Sequence, residues 1–354
     1  MHIPTLDLAP NYQISRVIKG GWQLAGGHGS ITKEQAIADM FAFADAGIST
    51  FDCADIYTGV EELIGTFREA YRNSRSAEAL SQIKVHTKFV PDLNALPTLN
   101  SSYVTAIIDR SLKRLCSERL DLVQFHWWDY DVPRYVEVAG YLADLQRQGK
   151  IAHLGVTNFD VPHLTELIKS GVPIISNQVQ YSVMDRRPEG GMVAFTQAHG
   201  IKLLCYGTVA GGFLSEKYLG APEPQGTLTN RSLTKYKLII DEFGSWALFQ
   251  ELLRALARVA TRHHSTIGNV ATRYVLEQPG VASAIVGATN TRHLTDTTRL
   301  FAFTLDQADQ NEIRAVTDRA TGPHGDTYAI ERVKGGVHGS IMKYNLNTHT
   351  YEKE

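Results

Sequence analysis

Short apolar runs rich in β-branched residues alternate with longer amphipathic segments along most of the chain. This alternation is typical of a parallel sheet whose strands are joined by crossover helices. Eight of the runs have the length and composition expected of buried strands. They span residues 16–19, 49–52, 84–88, 122–126, 152–156, 174–179, 202–206 and 282–286.

The segments between these runs carry apolar side chains at the spacing of one helical face, as residues 103–115 and 246–260 show. Thr32 followed by Gln35 predicts a capping box at the start of the first helix. Eight strand and helix units predict an α/β fold, a (β/α)8 TIM barrel over residues 1–321 with insertions beyond the usual length.

Two segments lie outside this repeat. Residues 207–244 form a long connection after the seventh predicted strand, and connections of this length are usually functional lids or disordered. Residues 322–354 follow the last predicted helix as a C-terminal extension. We expect this extension to cover the cofactor or the substrate site.

The overall charge changes the picture by excluding several classes of partner. The 354 residues have a formal net charge of −2 and no block of Lys or Arg, whereas a general nucleic-acid binder carries a basic surplus. The chain has no signal-peptide pattern and no apolar stretch long enough for a membrane span, so we expect a cytoplasmic protein. Cys53, Cys116 and Cys205 lack zinc-ligand spacing, so we expect no metal site.

Four chemically active side chains stand at or just after the ends of three neighbouring predicted strands. Asp52 ends the second strand, Tyr57 follows it, Lys88 ends the third and His126 ends the fourth. The strands of a barrel end at one face, so these four side chains should share one cavity. We expect Asp52 to neutralise Lys88, and the ammonium of Lys88 to shift the Tyr57 phenol towards phenolate. Each residue taken alone also fits a structural role, and His126 beside a Tyr–Lys pair fits a donor to a carbonyl.

Six motifs occur in order along the chain: FDCADIYTGVEELIG, VHTKF, DLVQFHWW, GVTNF, NQVQYSV and CYGTVAGGFLSEKY. Together they resemble the aldo-keto reductase superfamily, and the resemblance covers about residues 20–296. It implies a catalytic tetrad of Asp52, Tyr57, Lys88 and His126. The implied reaction is reduction of an aldehyde or ketone by NAD(P)H, with Tyr57 as general acid, and the same tetrad would serve oxidation of an alcohol.

The resemblance also implies a set of cofactor-binding residues. Thr157, Asn158 and Gln178 would hold the nicotinamide carboxamide, and Tyr206 would stack on its ring. The loop after the seventh strand would fold over the pyrophosphate. The remaining positions are Gly21, Trp22, Gly207, Gly212, Leu214, Ser215, Lys217, Gly287, Thr289, His293, Asp296 and Thr297. Read singly, most of them fit ordinary packing or turns.

The chain departs from the family pattern where an adenosine 2′-phosphate would bind. The usual Arg is absent at Thr289, and His293 and Thr297 replace further basic or amide residues, although Arg292 stands close by. We expect NADP(H) first and keep NAD(H) open.

The aromatic residues that follow strand ends predict the wall of a substrate pocket for a small carbonyl or alcohol. They are Trp22, Tyr57, Trp127 and Trp128.

Two other functions compete with this interpretation. A cofactor-bound regulatory protein resembling the potassium-channel β subunits would share the fold and the tetrad without appreciable turnover. A short-chain dehydrogenase would need Tyr-x-x-x-Lys and Gly-x-Gly-x-x-Gly motifs, and the chain has neither.

Overall fold

The computed structural model describes residues 3–26 and 31–347, and in this part of the chain eight parallel strands close into a barrel. The barrel follows an antiparallel hairpin, β1 (Thr5–Ala9) and β2 (Tyr12–Ser15). The barrel strands are β3 (Val17–Gly20), β4 (Thr50–Asp52), β5 (Lys84–Phe89), β6 (Leu120–Phe125), β7 (Ile151–Thr157), β8 (Ile174–Gln180), β9 (Lys202–Tyr206) and β10 (Val281–Gly287). The predicted barrel is confirmed, and each predicted strand end lies within two residues of the observed one.

Helices surround the barrel and connect its strands. They are α1 (Lys33–Asp45), α2 (Val60–Ser74), α3 (Ala77–Gln82), α4 (Ser101–Arg114), α5 (Tyr135–Arg147), α6 (Val161–Lys169), α7 (Met192–Ala198), α8 (Arg231–Phe243), α9 (Trp246–Arg262), α10 (Ile267–Leu276), α11 (Leu294–Thr298) and α12 (Gln307–Thr317). No helix in the described residues is long and apolar enough to cross a bilayer.

The start of α1 forms only half of the capping box that the sequence predicts. The Thr32 side chain accepts a hydrogen bond from the backbone N–H of Gln35 at 3.2 Å. The Gln35 amide donates instead to Asp39 at 2.9 Å, so it does not return to the backbone of Thr32. One of the free N–H groups at this helix end is therefore satisfied by a side chain.

The hairpin closes the N-terminal end of the barrel. Leu8, Tyr12 and Ile14 are buried in one apolar cluster with strand residues such as Leu122 and Leu204. The barrel therefore has one blocked end, and its open end is the one where the strands finish. The sequence prediction missed this hairpin, although Leu6, Leu8, Tyr12 and Ile14 alternate with polar residues in the way a two-stranded ribbon requires.

The long connection between β9 and α9 contains helix α8, which the sequence interpretation did not predict. Asn230 caps this helix by accepting from the backbone N–H of Leu233 at 2.9 Å. Ile239, Ile240 and Phe243 bury its apolar face. The cap and the helical spacing were both visible in the sequence.

The C-terminal segment, defined here as residues 322–347, lies across the open end of the barrel. Its Glu331 forms a buried ion pair with Arg187 at 2.8 Å, and Arg187 also pairs with Asp185 at 2.7 Å. Arg332 donates to the backbone carbonyls of Trp127, Trp128 and Asn158. These polar contacts fix the segment to the loops after β6, β7 and β8.

Replacement of Glu331 by alanine should destabilise the fold and release the C-terminal segment, because the buried Arg187 would lose one of its two carboxylate partners. We expect the free energy of unfolding in urea to fall by about 3 kcal/mol. Glu251→Ala is the matched control, since Glu251 pairs with Arg319 where both side chains are exposed, and its effect on the free energy of unfolding should be much smaller. Equal effects of the two substitutions would contradict the role assigned to the buried pair.

Candidate active site

A cavity of about 670 Å³ opens at the C-terminal end of the barrel, in the size range of small-molecule sites. Strand ends, α8 and the C-terminal segment line it. The sequence-predicted site residues that line it are Trp22, Asp52, Tyr57, Lys88, His126, Trp128, Thr157, Asn158, Gln178, Tyr206, Gly207, Gly212, Leu214, Ser215, Gly287, Thr289, His293, Asp296 and Thr297. The four proposed catalytic residues therefore share one cavity.

A buried ion pair lies at the floor of this cavity. The Lys88 ammonium donates to Asp52 Oδ2 at 2.6 Å and to the backbone carbonyl of Cys53 at 2.8 Å. The two side chains are only 6% and 5% exposed. Burial acts to lower the pKa of Lys88, but the negative charge of Asp52 outweighs it, so the Lys88 pKa lies above its ordinary value. Lys88 is therefore positively charged at neutral pH.

The second oxygen of Asp52 binds two side-chain amides. Gln124 donates to Asp52 Oδ1 at 3.0 Å, and Gln178 donates to the same oxygen at 2.7 Å. The Gln178 nitrogen also reaches the carbonyl oxygen of Gln124 at 3.0 Å. These bonds fix the Asp52 carboxylate, and they leave Oε1 of Gln178 as the atom of that amide available to a ligand.

Tyr57 lies between the ion pair and an aromatic wall. Its ring is 5.1 Å from the Lys88 ammonium and packs edge to face against Trp22 at 5.1 Å. Burial raises the pKa of the Tyr57 phenol, and the charge of Lys88 only partly opposes this rise. The expected shift towards phenolate was therefore wrong in direction, because the buried phenolate loses its hydration. Tyr57 keeps its proton at neutral pH and can donate it.

His126 has a fixed orientation and a defined tautomer. Its Nδ1 lies 3.1 Å from the backbone carbonyl of Thr157, and because a carbonyl only accepts, Nδ1 carries the hydrogen. Burial and the nearby Arg332 lower the pKa of His126 to about 3, so the ring is neutral near pH 7. Nε2 is buried without a partner in the described residues and has a free lone pair. As placed, Nε2 of His126 can only accept a hydrogen bond from a ligand, whereas the sequence suggested a donor to a carbonyl.

The residues expected to hold a nicotinamide ring form one continuous group at the ends of β7, β8 and β9. The Thr157 hydroxyl donates to the backbone carbonyl of Gln178 at 3.2 Å, and the Tyr206 hydroxyl donates to Asn158 Oδ1 at 2.9 Å. Asn158 has a φ of 63°, a left-handed conformation that asparagine tolerates. This geometry places an amide-rich surface, formed by Asn158 and Gln178, beside the exposed part of Tyr206.

Three of the sequence-predicted positions do not line the cavity. Gly21 lies behind its wall, where an added Cβ would approach the backbone oxygen of Asp52 to 2.7 Å. Lys217 is exposed, with its ammonium 5.0 Å from the Tyr218 ring. Trp127 is fully buried and donates to the backbone carbonyls of Asp129 and Val132, so its predicted place in the pocket wall was wrong. A residue that follows a strand end can point either inward or outward, and only the fold decides which.

Several cavity residues were not named as site residues in the sequence interpretation, although it expected residues 322–354 to cover the site. They belong to α8 and to the C-terminal segment, and they include Arg231, Lys235, Tyr236, Tyr328, Ile341, Met342 and Lys343. Tyr328 lies edge to face beside His126, with ring centres 5.7 Å apart. The available signal was the helical pattern of residues 231–243, which places polar residues 231 and 235 one turn apart on a single face.

Comparisons with known proteins agree with this geometry. A family model described as the aldo/keto reductase family matches residues 16–318. Aldo-keto reductase YhdN of Bacillus subtilis is 26% identical over 312 residues, 86% of this chain and 91% of its own. The NADH-specific methylglyoxal reductase of Escherichia coli is 23% identical over 321 residues, 86% and 95% of the two chains. A crystal structure of a thermostable aldo-keto reductase, Tm1743, aligns with a TM-score of 0.69 at 25% identity, covering 89% of this chain and 100% of that one.

The titration of Lys88 makes the free energy of unfolding depend on pH. Replacement of Asp52 by asparagine should reverse the direction of this dependence. In the native protein the Lys88 pKa is raised, so its contribution is present below pH about 10.4 and lost above it. In Asp52→Asn, the largest opposition to burial is removed and the Lys88 pKa is lowered, so stability rises as the pH increases towards about 10.4.

We expect the variant to be about 3 kcal/mol less stable than the native protein at pH 7, and this difference to shrink towards pH 10. Urea unfolding at several pH values measures it. Asp144→Asn, which removes the exposed partner of Arg147, is the control and should follow the native curve. A constant difference at every pH would show that Lys88 does not depend on Asp52 for its charge.

Proposed function

Because this chain belongs to the aldo/keto reductase family, we propose that it reduces an aldehyde or ketone to an alcohol, with Tyr57 as proton donor. Membership of the family makes the chain an oxidoreductase that uses a nicotinamide cofactor. The observation that carries the finer proposal is the convergence of Tyr57, His126 and the Lys88–Asp52 pair in one cavity. These groups are placed to move a proton at the oxygen of a bound carbonyl.

The residues at the ends of β7, β8 and β9 fit a nicotinamide cofactor. Oε1 of Gln178 and the side chain of Asn158 offer acceptors and donors to a carboxamide, and Tyr206 offers a ring face. Gly212 lines the cavity with space where a Cβ would stand, so a backbone can approach a phosphate there. Gly268, at the second position of α10, lines the same wall. When bound, the cofactor supplies the hydride, and the protein supplies position and electrostatics.

Tyr57 and its neighbours account for the proton in this proposal. The phenol keeps its proton at neutral pH, and it gives that proton to the carbonyl oxygen as negative charge develops there. The fixed ammonium of Lys88 stabilises the phenolate left behind, because an opposite charge nearby favours the ionised form. Asp52, with its amide partners, keeps Lys88 in place and charged.

The proposed role of His126 follows from its tautomer. Its Nε2 lone pair faces the site as an acceptor, so it can take a hydrogen bond from the hydroxyl group of the alcohol. This contact would exist only on the alcohol side of the reaction, once the hydroxyl hydrogen has left Tyr57 and points to His126.

The preference between NADPH and NADH depends on the cavity wall that the residues after β10 form. Thr289, His293, Asp296 and Thr297 line that wall. The described residues between 287 and 297 that line it include no Lys or Arg, because Arg292 is exposed outside it. We propose NADPH as the first cofactor by family resemblance. Because no Lys or Arg of this segment lines the wall, the advantage of NADPH over NADH should be small.

Replacement of Tyr57 by phenylalanine should remove the proton donor while leaving the cofactor site intact. We expect the rate of carbonyl reduction to fall at least about 100-fold, with the cofactor dissociation constant within about two-fold of the native value. Oxidation of the reduced cofactor followed by absorbance, together with a fluorescence titration, measures both quantities. Tyr141→Phe is the control, since the Tyr141 hydroxyl binds Glu137 at an exposed site. Comparable turnover in Tyr57→Phe would contradict the assignment of Tyr57 as the proton donor.

Replacement of His293 by arginine should increase the affinity for NADPH by about ten-fold, since a permanent cation would face the 2′-phosphate. The affinity for NADH should not change, because NADH lacks that group. Fluorescence titration of both cofactors with the native protein and the variant tests this. Tight cofactor binding by the native protein without turnover on a broad carbonyl panel would instead support a regulatory role.

A further inference from the structure

We propose that Lys235 forms an anion-binding site in the cavity wall and selects carbonyl substrates that carry a carboxylate. This inference builds on the proposed reductase function and adds a substrate class to it. Neither the sequence motifs nor the comparisons assign a role to this residue. The inference rests on the position of Lys235, on its lack of a hydrogen-bond or ion-pair partner among the described residues, and on the charges around it.

Lys235 lies on α8 and lines the cavity. Its ammonium is 4.9 Å from the ring centre of Tyr206 and 5.8 Å from those of Tyr236 and Tyr328. Among the described residues it makes no hydrogen bond and no ion pair within 4 Å. Aromatic faces attract a cation weakly, but they cannot replace the hydrogen bonds that an ammonium makes in water.

The nearest carboxylates already have a stronger partner. Asp185 and Glu331 both bind the guanidinium of Arg187, and their side chains are fully buried. Their field acts on Lys235 from a distance and favours its charge, while burial lowers the Lys235 pKa. A ligand anion in the cavity would supply the direct contact that the protein does not.

Other cations lie on the same side of the cavity. Arg231 stands one helical turn before Lys235 and donates to the backbone carbonyl of Ile341 in the C-terminal segment. Lys343 lines the cavity from that segment. The carboxylates that line the cavity lie elsewhere: Asp52 is bound to Lys88, Glu216 accepts from the backbone N–H of Ile267 at 2.7 Å, and Asp296 stands in the segment after β10. The wall between α8 and the C-terminal segment is therefore positive.

The position of Lys235 relative to the proposed chemistry sets the shape of the ligand. Tyr328 lies 5.8 Å from the Lys235 ammonium and 5.7 Å from the His126 ring. About one aromatic ring therefore separates the cation from the site of carbonyl reduction. Ile56, Val90 and Trp128 add apolar wall on the same cavity. An aldehyde or ketone with a compact apolar body and a carboxylate at its far end fits these features.

The test compares 4-carboxybenzaldehyde with methyl 4-formylbenzoate, which has the same ring and aldehyde but no charge. Lys235→Met should raise KM for the carboxylate at least about ten-fold, because it removes a charge-assisted contact. KM for the ester should stay within about two-fold. Lys235→Arg should retain most of the preference for the carboxylate. Lys237→Met is the control on the same helix, where Lys237 pairs with Glu223 and Asp241.

Three outcomes would overturn the inference. An equal loss on acid and ester would assign Lys235 a structural role, in which it balances the charges of Asp185 and Glu331. Weaker binding of NADPH and NADH in Lys235→Met, with KM for the acid unchanged, would identify the anion as a cofactor phosphate. An unchanged KM for both substrates, together with unchanged cofactor binding, would show that Lys235 binds no anion.

Calorimetry with terephthalate separates this inference from the proposed reaction, because that dianion has no aldehyde or ketone group to reduce. If no aldehyde is turned over, the reductase proposal fails. Terephthalate binding that Lys235→Met weakens at least about ten-fold would then still support the anion site. Binding that the variant leaves unchanged would contradict it.

Discussion

The buried contact between Lys88 and Asp52 is the interaction on which the candidate site depends. The two residues stand at the ends of neighbouring strands, β5 and β4, so the closing of the barrel itself brings them to 2.6 Å. A lone ammonium or carboxylate at that depth would be strongly unfavourable, and each makes the other tolerable. In the proposed reaction, the positive charge thus kept inside the protein stabilises the phenolate that Tyr57 becomes when it gives up its proton.

The barrel could be predicted from the sequence because its signal repeats. Eight apolar runs at similar spacing leave few alternative folds, and small errors at individual strand ends do not alter that conclusion. The hairpin β1–β2 and helix α8 occur once each and have no repeat to support them. Both carried local signals, the alternation around Tyr12 and the Asn230 cap, that are easily passed over when the barrel already explains the chain.

The sequence predicted which residues form the centre of the candidate site better than it predicted their pKa shifts and hydrogen-bonding roles. Motif order indicated Tyr57, Lys88 and His126, and the structure brings them to one cavity. The direction of the Tyr57 pKa shift depends on how completely the phenol loses water, and the acceptor role of His126 depends on a single carbonyl, that of Thr157. Such properties follow from three-dimensional surroundings, and residue spacing does not contain them.

The attachment of Arg332 has a consequence for the order in which the pocket is completed during folding. Its guanidinium binds the backbone of Trp127, a residue 205 positions earlier in the chain. During synthesis every barrel strand leaves the ribosome before this arginine, so the floor of the cavity can form while the upper wall is still missing. The nascent barrel would then hold an open, shallow bowl, which the C-terminal segment later converts into an enclosed chamber. Contacts this distant in sequence form late because the loops they close are long.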